Sequence, residues 1–224
     1  MPHKPHTAGI VLAAGMSVRF GQPKQLLMLK NKCMLEWVLD AALASSLATV
    51  VLVLGHEHQK ILETLGAKTH LPRVQTVISS RYREGQGRSL QTGLSVVHEA
   101  FQSFMFLLGD QPLLRSATID HLLESFWNSE KDICIPVWRG KRGNPAIFSR
   151  ALYAELMAIE GDVGARNIIT ENPARVLSVA IDSPLDFFDI DSIEDFAEFE
   201  DRLAKSGCRT NAQNKGNSDE KAER

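Results

Sequence analysis

The chain has 224 residues, of which 44% are hydrophobic and 23% charged, and its formal net charge is -2. These values are ordinary for a folded globular protein, and they give no sign of a protein that coats nucleic acid or an anionic membrane. The three cysteines stand far apart and form neither a zinc motif nor a disulfide framework, which favours a cytoplasmic protein. No apolar run approaches the roughly 18 residues that a membrane span requires.

Apolar runs typical of buried strands alternate with segments of helical spacing. Strands are predicted at Gly9–Ala13, Thr49–Leu54, Val74–Ile78, Phe104–Leu108, Ile133–Val137 and Val176–Ile181. Helices are predicted at Leu35–Ala44, His58–Leu65, Ser89–Glu99, Ile119–Trp127 after an N-cap at Ser116, and Ser192–Leu203 with Ser192 as N-cap. This alternation predicts an α/β, Rossmann-like domain with a mostly parallel sheet and helices on both faces. We expect the domain to cover residues 1–204 and the polar residues 205–224 to form a flexible tail.

Ligands of open α/β sheets bind at the carboxyl ends of the strands, so the loop after the first strand carries the first candidate site. It begins at Leu12 and is rich in small residues, which let the backbone approach phosphate oxygens. Arg19 and Lys24 add positive charge to it. Its spacing matches neither a Walker A loop nor a GxGxxG loop, and a plain strand-to-helix turn is the competing interpretation.

The pattern LAAGxSxRxGxPKxLL in this loop resembles the signature of the MobA-like nucleotidyltransferases, most closely in its molybdenum cofactor cytidylyltransferase form. The guanylyl form carries GGxSxRMGxxK instead. The resemblance implies the fold of the nucleotide-diphospho-sugar transferases and catalytic roles for Arg19 and Lys24. It also implies a nucleotide-binding role for seven residues of the loop: Leu12, Ala13, Ala14, Gly15, Ser17, Arg19 and Lys24.

A second candidate site follows the strand Phe104–Leu108, where Gly109 and Asp110 begin the sequence GDQP. An aspartate at a strand end suits Mg²⁺, which takes few protein carboxylates together with substrate phosphates. GDQP resembles the motif in which the family binds magnesium, which implies a catalytic and metal-binding role for Asp110 and a nucleotide contact for Gly109. The later run DIDSIED resembles the family's DIDTPED and implies a second carboxylate from Asp189 or Asp191, with the choice between them open. The expected cofactor is Mg²⁺, with Mn²⁺ as an alternative.

Three further segments resemble family motifs. The stretch from Ser79 to Leu90 is similar to N-P-x-W-x-x-G-x-x-x-S-L, which implies that Ser79, Gly85 and Ser89 line the nucleotide pocket, although serine replaces asparagine at the first position. The basic turn Arg139–Phe148 resembles the family's G-H/N-P segment, and Gly161–Arg166 resembles the family's GDxGAR. Both resemblances imply an acceptor-binding set: Gly143, Asn144, Pro145, Asp162, Gly164 and Arg166. The neighbouring Arg139, Lys141 and Arg142 would suit a dianionic acceptor.

The resemblance implies an Mg²⁺-dependent transfer of CMP from CTP to the terminal phosphate of the molybdenum–molybdopterin cofactor, with release of diphosphate. A molybdenum hydroxylase or its maturation chaperone is an expected further partner, whereas nucleic acid and membrane are not. Two alternatives remain open at this point: a transferase that uses GTP or a sugar or polyol phosphate acceptor, and a non-catalytic cofactor carrier.

The distribution of charge along the chain agrees with a nucleotide substrate. Residues 1–35 contain five basic residues and no acidic one, whereas residues 176–201 contain nine acidic residues and no basic one. The first segment suits a triphosphate and the second its magnesium.

Overall fold

The computed structural model describes residues 6–17, 20–97, 99–162, 164–199 and 201. The chain divides into two units, Met1–Phe188 and Asp189–Arg224. The predicted tail, residues 205–224, lies outside the described residues, and so does Arg19. Within the described ranges, no helix has both the length and the apolar character that crossing a membrane requires.

The first unit is built on an eight-stranded, mostly parallel sheet, as the sequence predicts. The strands of the chain are β1 (Thr7–Ala13), β2 (Met28–Leu29), β3 (Lys32–Cys33), β4 (Thr49–Leu54), β5 (Val74–Ile78), β6 (Ser103–Leu108), β7 (Ile133–Trp138), β8 (Lys141–Arg142), β9 (Ala146–Ser149) and β10 (Val176–Ala180). The sheet has the order β10-β7-β9-β6-β1-β4-β5, with β8 paired to β7, while β2 and β3 form a separate hairpin. β9 runs antiparallel to both β6 and β7, and β1 pairs in parallel with β4 and β6.

Helices cover both faces of this sheet. They are α1 (Met34–Ala44), α2 (His58–Leu65), α3 (Gln86–Ser95), α4 (Ser116–Trp127), α5 (Tyr153–Met157) and α6 (Arg166–Glu171). Side chains of α1, α2 and α4 form one buried apolar cluster, and side chains of α3, α5 and α6 form the other. The strand β4 serves both clusters because successive side chains of a strand point to opposite faces. Its Leu52 therefore packs with the first group and Val53 with the second.

Two predicted helix starts are wrong, each for a physical reason. α3 begins at Gln86 rather than Ser89 and ends at Ser95, because tertiary packing accommodates its glycines. The N-cap of α4 is Arg115 rather than Ser116. The buried carboxylate of Asp186 accepts hydrogen bonds from the Arg115 backbone N–H and side chain, so an acid 71 residues away fixes this helix start.

The second unit contains a helical segment, residues 193–199. The Ser192 hydroxyl accepts a hydrogen bond from the Asp195 backbone N–H at 3.1 Å, and the Asp195 carboxylate accepts one from the Asp191 N–H at 3.0 Å. The first of these bonds confirms the predicted N-cap at Ser192, whose hydroxyl caps the N–H three residues into the helix.

The order of the strands places a crevice beside β1. The chain passes from β1 to β4 and β5 on one side and then crosses to β6 on the other. In open α/β sheets the carboxyl ends of the strands at such a reversal carry the ligand. The loops after β1 and β6 are therefore the first place to look for a site.

Candidate nucleotide and acceptor site

The loop after β1 is held from below by Gln25, a residue that the sequence interpretation missed. The Gln25 side chain is 3% exposed. Its amide nitrogen donates to the carbonyl oxygens of Ala13 at 3.1 Å and Gly15 at 3.3 Å, and its amide oxygen accepts from the Ser17 hydroxyl at 3.2 Å. Ser17 has a positive φ of 52°, so this bond supports a sparsely populated backbone conformation.

The carbonyl of Ala14 is bonded as well, because it accepts a hydrogen bond from the His56 N–H at 3.3 Å. Three successive carbonyl groups of the loop thus point at partners within the protein. In a trans peptide unit the N–H points away from the C=O. The N–H groups of Ala14, Gly15 and Met16 therefore face away from Gln25 and His56, an arrangement suited to an anion.

Lys24, in the short 3-10 helix Lys24–Leu26 of the loop after β1, meets Asp110, which lies two residues after the end of β6. The Lys24 ammonium donates to the Asp110 carboxylate over 2.7 Å, and their side chains are 18% and 22% exposed. The second carboxylate oxygen of Asp110, Oδ1, is buried and accepts no hydrogen bond from the described part of the chain. A buried carboxylate oxygen that keeps its lone pairs is the ligand that a hard divalent cation takes.

Gly109 brings these two loops into contact. Its N–H donates to the Leu12 carbonyl at 3.0 Å, and a Cβ at this position would stand 3.0 Å from the Ala13 side chain and 3.1 Å from the Leu12 oxygen. A larger residue would push Asp110 away from the loop after β1. The predicted nucleotide contact at Gly109 thus coincides with a packing requirement.

The predicted pocket residues after β5 are largely buried. Ser79 is 1% exposed, and its hydroxyl accepts a hydrogen bond from Thr92 in α3 at 3.3 Å. Ser89 is also buried within α3. Gly85, at the N-cap of α3, has a φ of 114°. The structure thus places Ser79 against α3 and Ser89 within it, and their contact with a nucleotide stays a prediction.

The chain itself supplies an anionic group to the N-terminus of α3. The backbone N–H of Gln86 donates to the Asp162 carboxylate at 3.1 Å, and the N–H of Gly87 donates to the Gly161 carbonyl at 3.1 Å. These bonds satisfy donor groups that the first turn of a helix leaves without intrahelical partners.

A cavity of about 550 Å³ opens next to the strand ends, with Leu12 and Leu108 in its wall. Four of the six predicted acceptor residues line it: Gly143, Asn144, Gly164 and Arg166. Pro145 lies buried beside them after a cis peptide bond from Asn144, whereas Asp162 is not part of the lining. Lys141, Arg142 and Arg166 make the cavity wall basic, which suits a phosphorylated ligand.

Packing against Phe187 requires a glycine at position 143. A Cβ on it would lie 1.9 Å from the ring of Phe187, so the ring packs directly on the backbone there. Phe187 therefore packs against the end of the basic turn that carries Lys141 and Arg142.

The remaining predicted metal ligands, Asp189 and Asp191, belong to the second unit. The Asp191 N–H donates to the Asp195 carboxylate, as described above. Within the described ranges, no group of three or more histidine, cysteine, aspartate or glutamate side chains could hold a metal on its own. The role of Asp189 and Asp191 in metal binding stays a prediction, and so does the role of Arg19.

Comparison with known proteins identifies the family. A model of the MobA-like NTP transferase domain matches residues 9–176, which include most of β1, Lys24, Asp110 and the cavity. The chain belongs to the MobA-like NTP transferase family. As a MobA-like transferase, it is a nucleotidyltransferase, which agrees with the phosphate-binding character of its loop and cavity.

Relatives of this MobA-like transferase carry different names. It is 31% identical over 200 residues to the purine catabolism protein PucB of Bacillus subtilis, which covers 86% of the chain and 95% of PucB. It is 28% identical over 132 residues to a probable molybdenum cofactor guanylyltransferase of Thermococcus sibiricus, which covers 58% of the chain and 62% of that protein.

Solved structures of similar proteins confirm the fold of the MobA-like transferase. The crystal structure of Rv0371c from Mycobacterium tuberculosis superposes with a TM-score of 0.77 at 26% identity, covering 88% of this chain and 99% of that one. A complex of Rv0371c with manganese superposes with a TM-score of 0.72 at 26% identity, covering 88% of this chain and 98% of the other.

Proposed function

We propose that this MobA-like transferase is a molybdenum cofactor cytidylyltransferase, which transfers CMP from CTP to the terminal phosphate of the molybdopterin cofactor and releases diphosphate. The observation that carries the proposal is the Lys24–Asp110 pair, which joins the loop after β1 to the loop after β6, because the ends of these two strands, at Leu12 and Leu108, also line the basic cavity. A triphosphate on that loop and a phosphorylated acceptor in that cavity would meet at this pair.

The residues of this chain fit a divalent metal. Asp110 would hold it through the buried Oδ1, and the existence of a manganese complex of the similar protein Rv0371c supports the use of a divalent ion. When bound, Mg²⁺ neutralises charge on the phosphates of the nucleotide. Asp189 or Asp191 as a further ligand is part of the proposal and rests on the DIDSIED motif alone.

Protein groups would do the rest by positioning and charge neutralisation, since phosphoryl-type transfer needs no covalent nucleophile from the enzyme. The N–H groups of Ala14, Gly15 and Met16 would hold nucleotide phosphates. The Lys24 ammonium would donate hydrogen bonds to the leaving diphosphate and stabilise the negative charge that develops on it. The cationic wall of Lys141, Arg142 and Arg166 would orient the acceptor phosphate for attack on the α-phosphorus of CTP.

The choice of CTP rests on the sequence Ala13-Ala14-Gly15, which resembles the cytidylyl form of the loop. The Thermococcus relative is named for guanylyl transfer to molybdenum cofactor, and this name supports a cofactor acceptor, whereas PucB is named for purine catabolism. We propose a molybdenum hydroxylase, or the chaperone that matures it, as the partner that receives the product. The Thermococcus match favours GTP as the second candidate nucleotide.

Mass spectrometry of reaction products tests the proposal. The purified protein is incubated with Mg²⁺, purified molybdenum cofactor and either CTP or GTP. We expect the cytidine dinucleotide form of the cofactor and diphosphate from CTP, and little product from GTP. A guanine dinucleotide would support the second candidate. Absence of any dinucleotide, with no thermal shift from CTP, GTP, ATP or UTP, would instead support a cofactor carrier.

A further inference from the structure

We infer that Asp162 is a positioning residue, not an acceptor ligand: it latches one wall of the cavity onto the N-terminus of α3. The wall is the acceptor segment, defined as the described residues 159–162 and 164–166. Gly164, Ala165 and Arg166 of this segment line the cavity, and the side chain of Gln86 lines it from the α3 side.

The latch consists of two hydrogen bonds to the first turn of α3. Asp162 Oδ1 accepts from the Gln86 N–H, and the Gly161 carbonyl accepts from the Gly87 N–H, both at 3.1 Å. A carboxylate at this end of a helix also interacts favourably with the helix dipole. Asp162 thus performs the work of an N-cap side chain from 76 residues away along the chain.

The glycines of α3 allow this contact. A Cβ on Gly85 would stand 2.5 Å from the carbonyl of Gly161 and 2.8 Å from Asp162 Oδ1, and a Cβ on Gly87 would stand 2.9 Å from the Ile159 side chain. The φ of 114° at Gly85 disfavours other residues as well. These glycines let the helix start lie directly on the acceptor segment.

A second anchor lies one turn further along α3. The amide nitrogen of Gln91 donates to the carbonyl oxygens of Met157 and Ile159, both at 2.8 Å. Gln91 fixes the beginning of the segment, and Asp162 fixes the part that leads to Arg166. Asp162 is bonded to α3 and is absent from the cavity lining. It would therefore act on an anionic acceptor indirectly, because it positions Gly164 and Arg166, which do line the cavity.

Two substitutions separate this role from a direct one. Asp162→Asn keeps a side-chain oxygen for the Gln86 N–H and removes the charge, and asparagine is as good an N-cap as aspartate. Asp162→Ala removes both the oxygen and the charge. Glu160→Ala removes an exposed acid of the same segment and serves as the matched control.

The exchange rate of the Gln86 backbone amide, followed by NMR, measures the hydrogen bond to Asp162 without any assay of activity. We expect exchange at Gln86 to accelerate about tenfold in the Asp162→Ala variant, the size of a lost cap, and to change less than twofold in the Asn and Glu160→Ala variants. Unchanged exchange at Gln86 in Asp162→Ala would overturn the inference. Circular dichroism verifies that each variant is folded.

The consequence for the acceptor rests on the proposed function and is read from kinetics. In Asp162→Ala we expect the KM for the acceptor to rise about tenfold, with kcat and the KM for the nucleotide within twofold of wild type, and we expect Asp162→Asn to restore the KM. Equal losses in the Asn and Ala variants would show that the charge itself contacts a ligand, which contradicts the inference. If no variant, wild type included, transfers a nucleotide, the proposed function fails while the exchange result still decides the latch.

Discussion

Lys24 and Asp110 hold opposite charges 2.7 Å apart, about four-fifths buried, where the loops after β1 and β6 meet. We expect Lys24→Ala and Asp110→Asn each to lower kcat by roughly 10²–10³-fold, because the first removes a positive charge from the leaving diphosphate and the second weakens the proposed metal ligand. Both variants should fold, since each side chain retains some contact with solvent. Steady-state diphosphate release measures the effect, with Lys60→Ala as the control at an exposed lysine. Turnover near the wild-type value in either variant would contradict its assignment.

Gln25 supports the loop after β1 through three hydrogen bonds, so nucleotide affinity should depend on its hydrogen-bonding groups more than on its volume. Gln25→Leu leaves two carbonyl groups without their donor, and Gln25→Glu places a carboxylate against the same oxygens, which is worse. We expect nucleotide affinity, measured by calorimetry, to fall about tenfold in the Leu variant and further in the Glu variant. Gln59→Glu, at an exposed position, controls for the added charge. The prediction fails if Gln25→Glu binds nucleotide more tightly than Gln25→Leu.

The contrast between Lys24 and Gln25 shows what sequence could predict about the site. Lys24 and Asp110 each occupy a recognisable motif near a strand end, and the topology brings such ends together. Gln25 occupies a variable position of the loop pattern, between Lys24 and Leu26, and its function depends on three bonds that only the folded loop creates. Asp162 stands in a recognised motif, yet its bond to α3 links residues 76 positions apart, which no local pattern encodes.

At the scale of elements, prediction succeeded where local pattern and tertiary packing agree. Thr49–Leu54, His58–Leu65 and Val74–Ile78 have the predicted bounds, because each is a continuous run of one periodicity between turn residues. The start of α3 was missed because glycine disfavours helices locally, whereas here the close contacts of Gly85 and Gly87 determine the start. The cap of α4 was missed because its acceptor, Asp186, is distant in sequence.

Gly93 gives a test of this explanation in α3. A Cβ on Gly93 would stand 2.5 Å from Ile10 and 2.9 Å from Val53, whose β-branched side chains are stiff and held in the sheet. Overpacking of up to about 3 kcal/mol should exceed the gain of about 1 kcal/mol in helix propensity, so Gly93→Ala should lower the free energy of unfolding by about 1–2 kcal/mol. Ser95→Ala, on the exposed side of the same helix, should change it by less than about 0.5 kcal/mol. Urea unfolding measures both, and a Gly93→Ala protein as stable as wild type would refute the packing argument.

At the scale of the whole molecule, some of the charges that are separated along the sequence form ion pairs within the fold. Lys24 and Lys32, two of the five bases in the first segment, form ion pairs with Asp110 and Asp40. Asp186, one of the nine late acids, is buried against Arg115. The folded protein thus neutralises some of the charge that the sequence assigned wholly to a triphosphate and its metal. The net charge in the cavity wall comes instead from Lys141, Arg142 and Arg166, which the segment count did not include.

The two described cysteines report on the cooperativity of the whole fold. Cys33, at the N-cap of α1, and Cys134, in β7, are buried in the same apolar cluster. Burial raises the pKa of the Cys33 thiol to about 11 and that of Cys134 to about 12. Because the thiolate is the reactive form, both thiols should resist alkylation in the native protein at pH 8 and regain ordinary reactivity only on unfolding.

We therefore expect iodoacetamide at pH 8 to label Cys33 and Cys134 slowly and at similar rates, which rise together with urea through the unfolding transition. Peptide mass spectrometry resolves the two sites, and circular dichroism supplies the transition for comparison. The expectation follows because α1 and β7 contribute to one cluster, so neither thiol should become accessible unless that cluster opens. Rapid labelling of Cys33 in the absence of urea, with Cys134 still protected, would show instead that the start of α1 opens independently of the sheet.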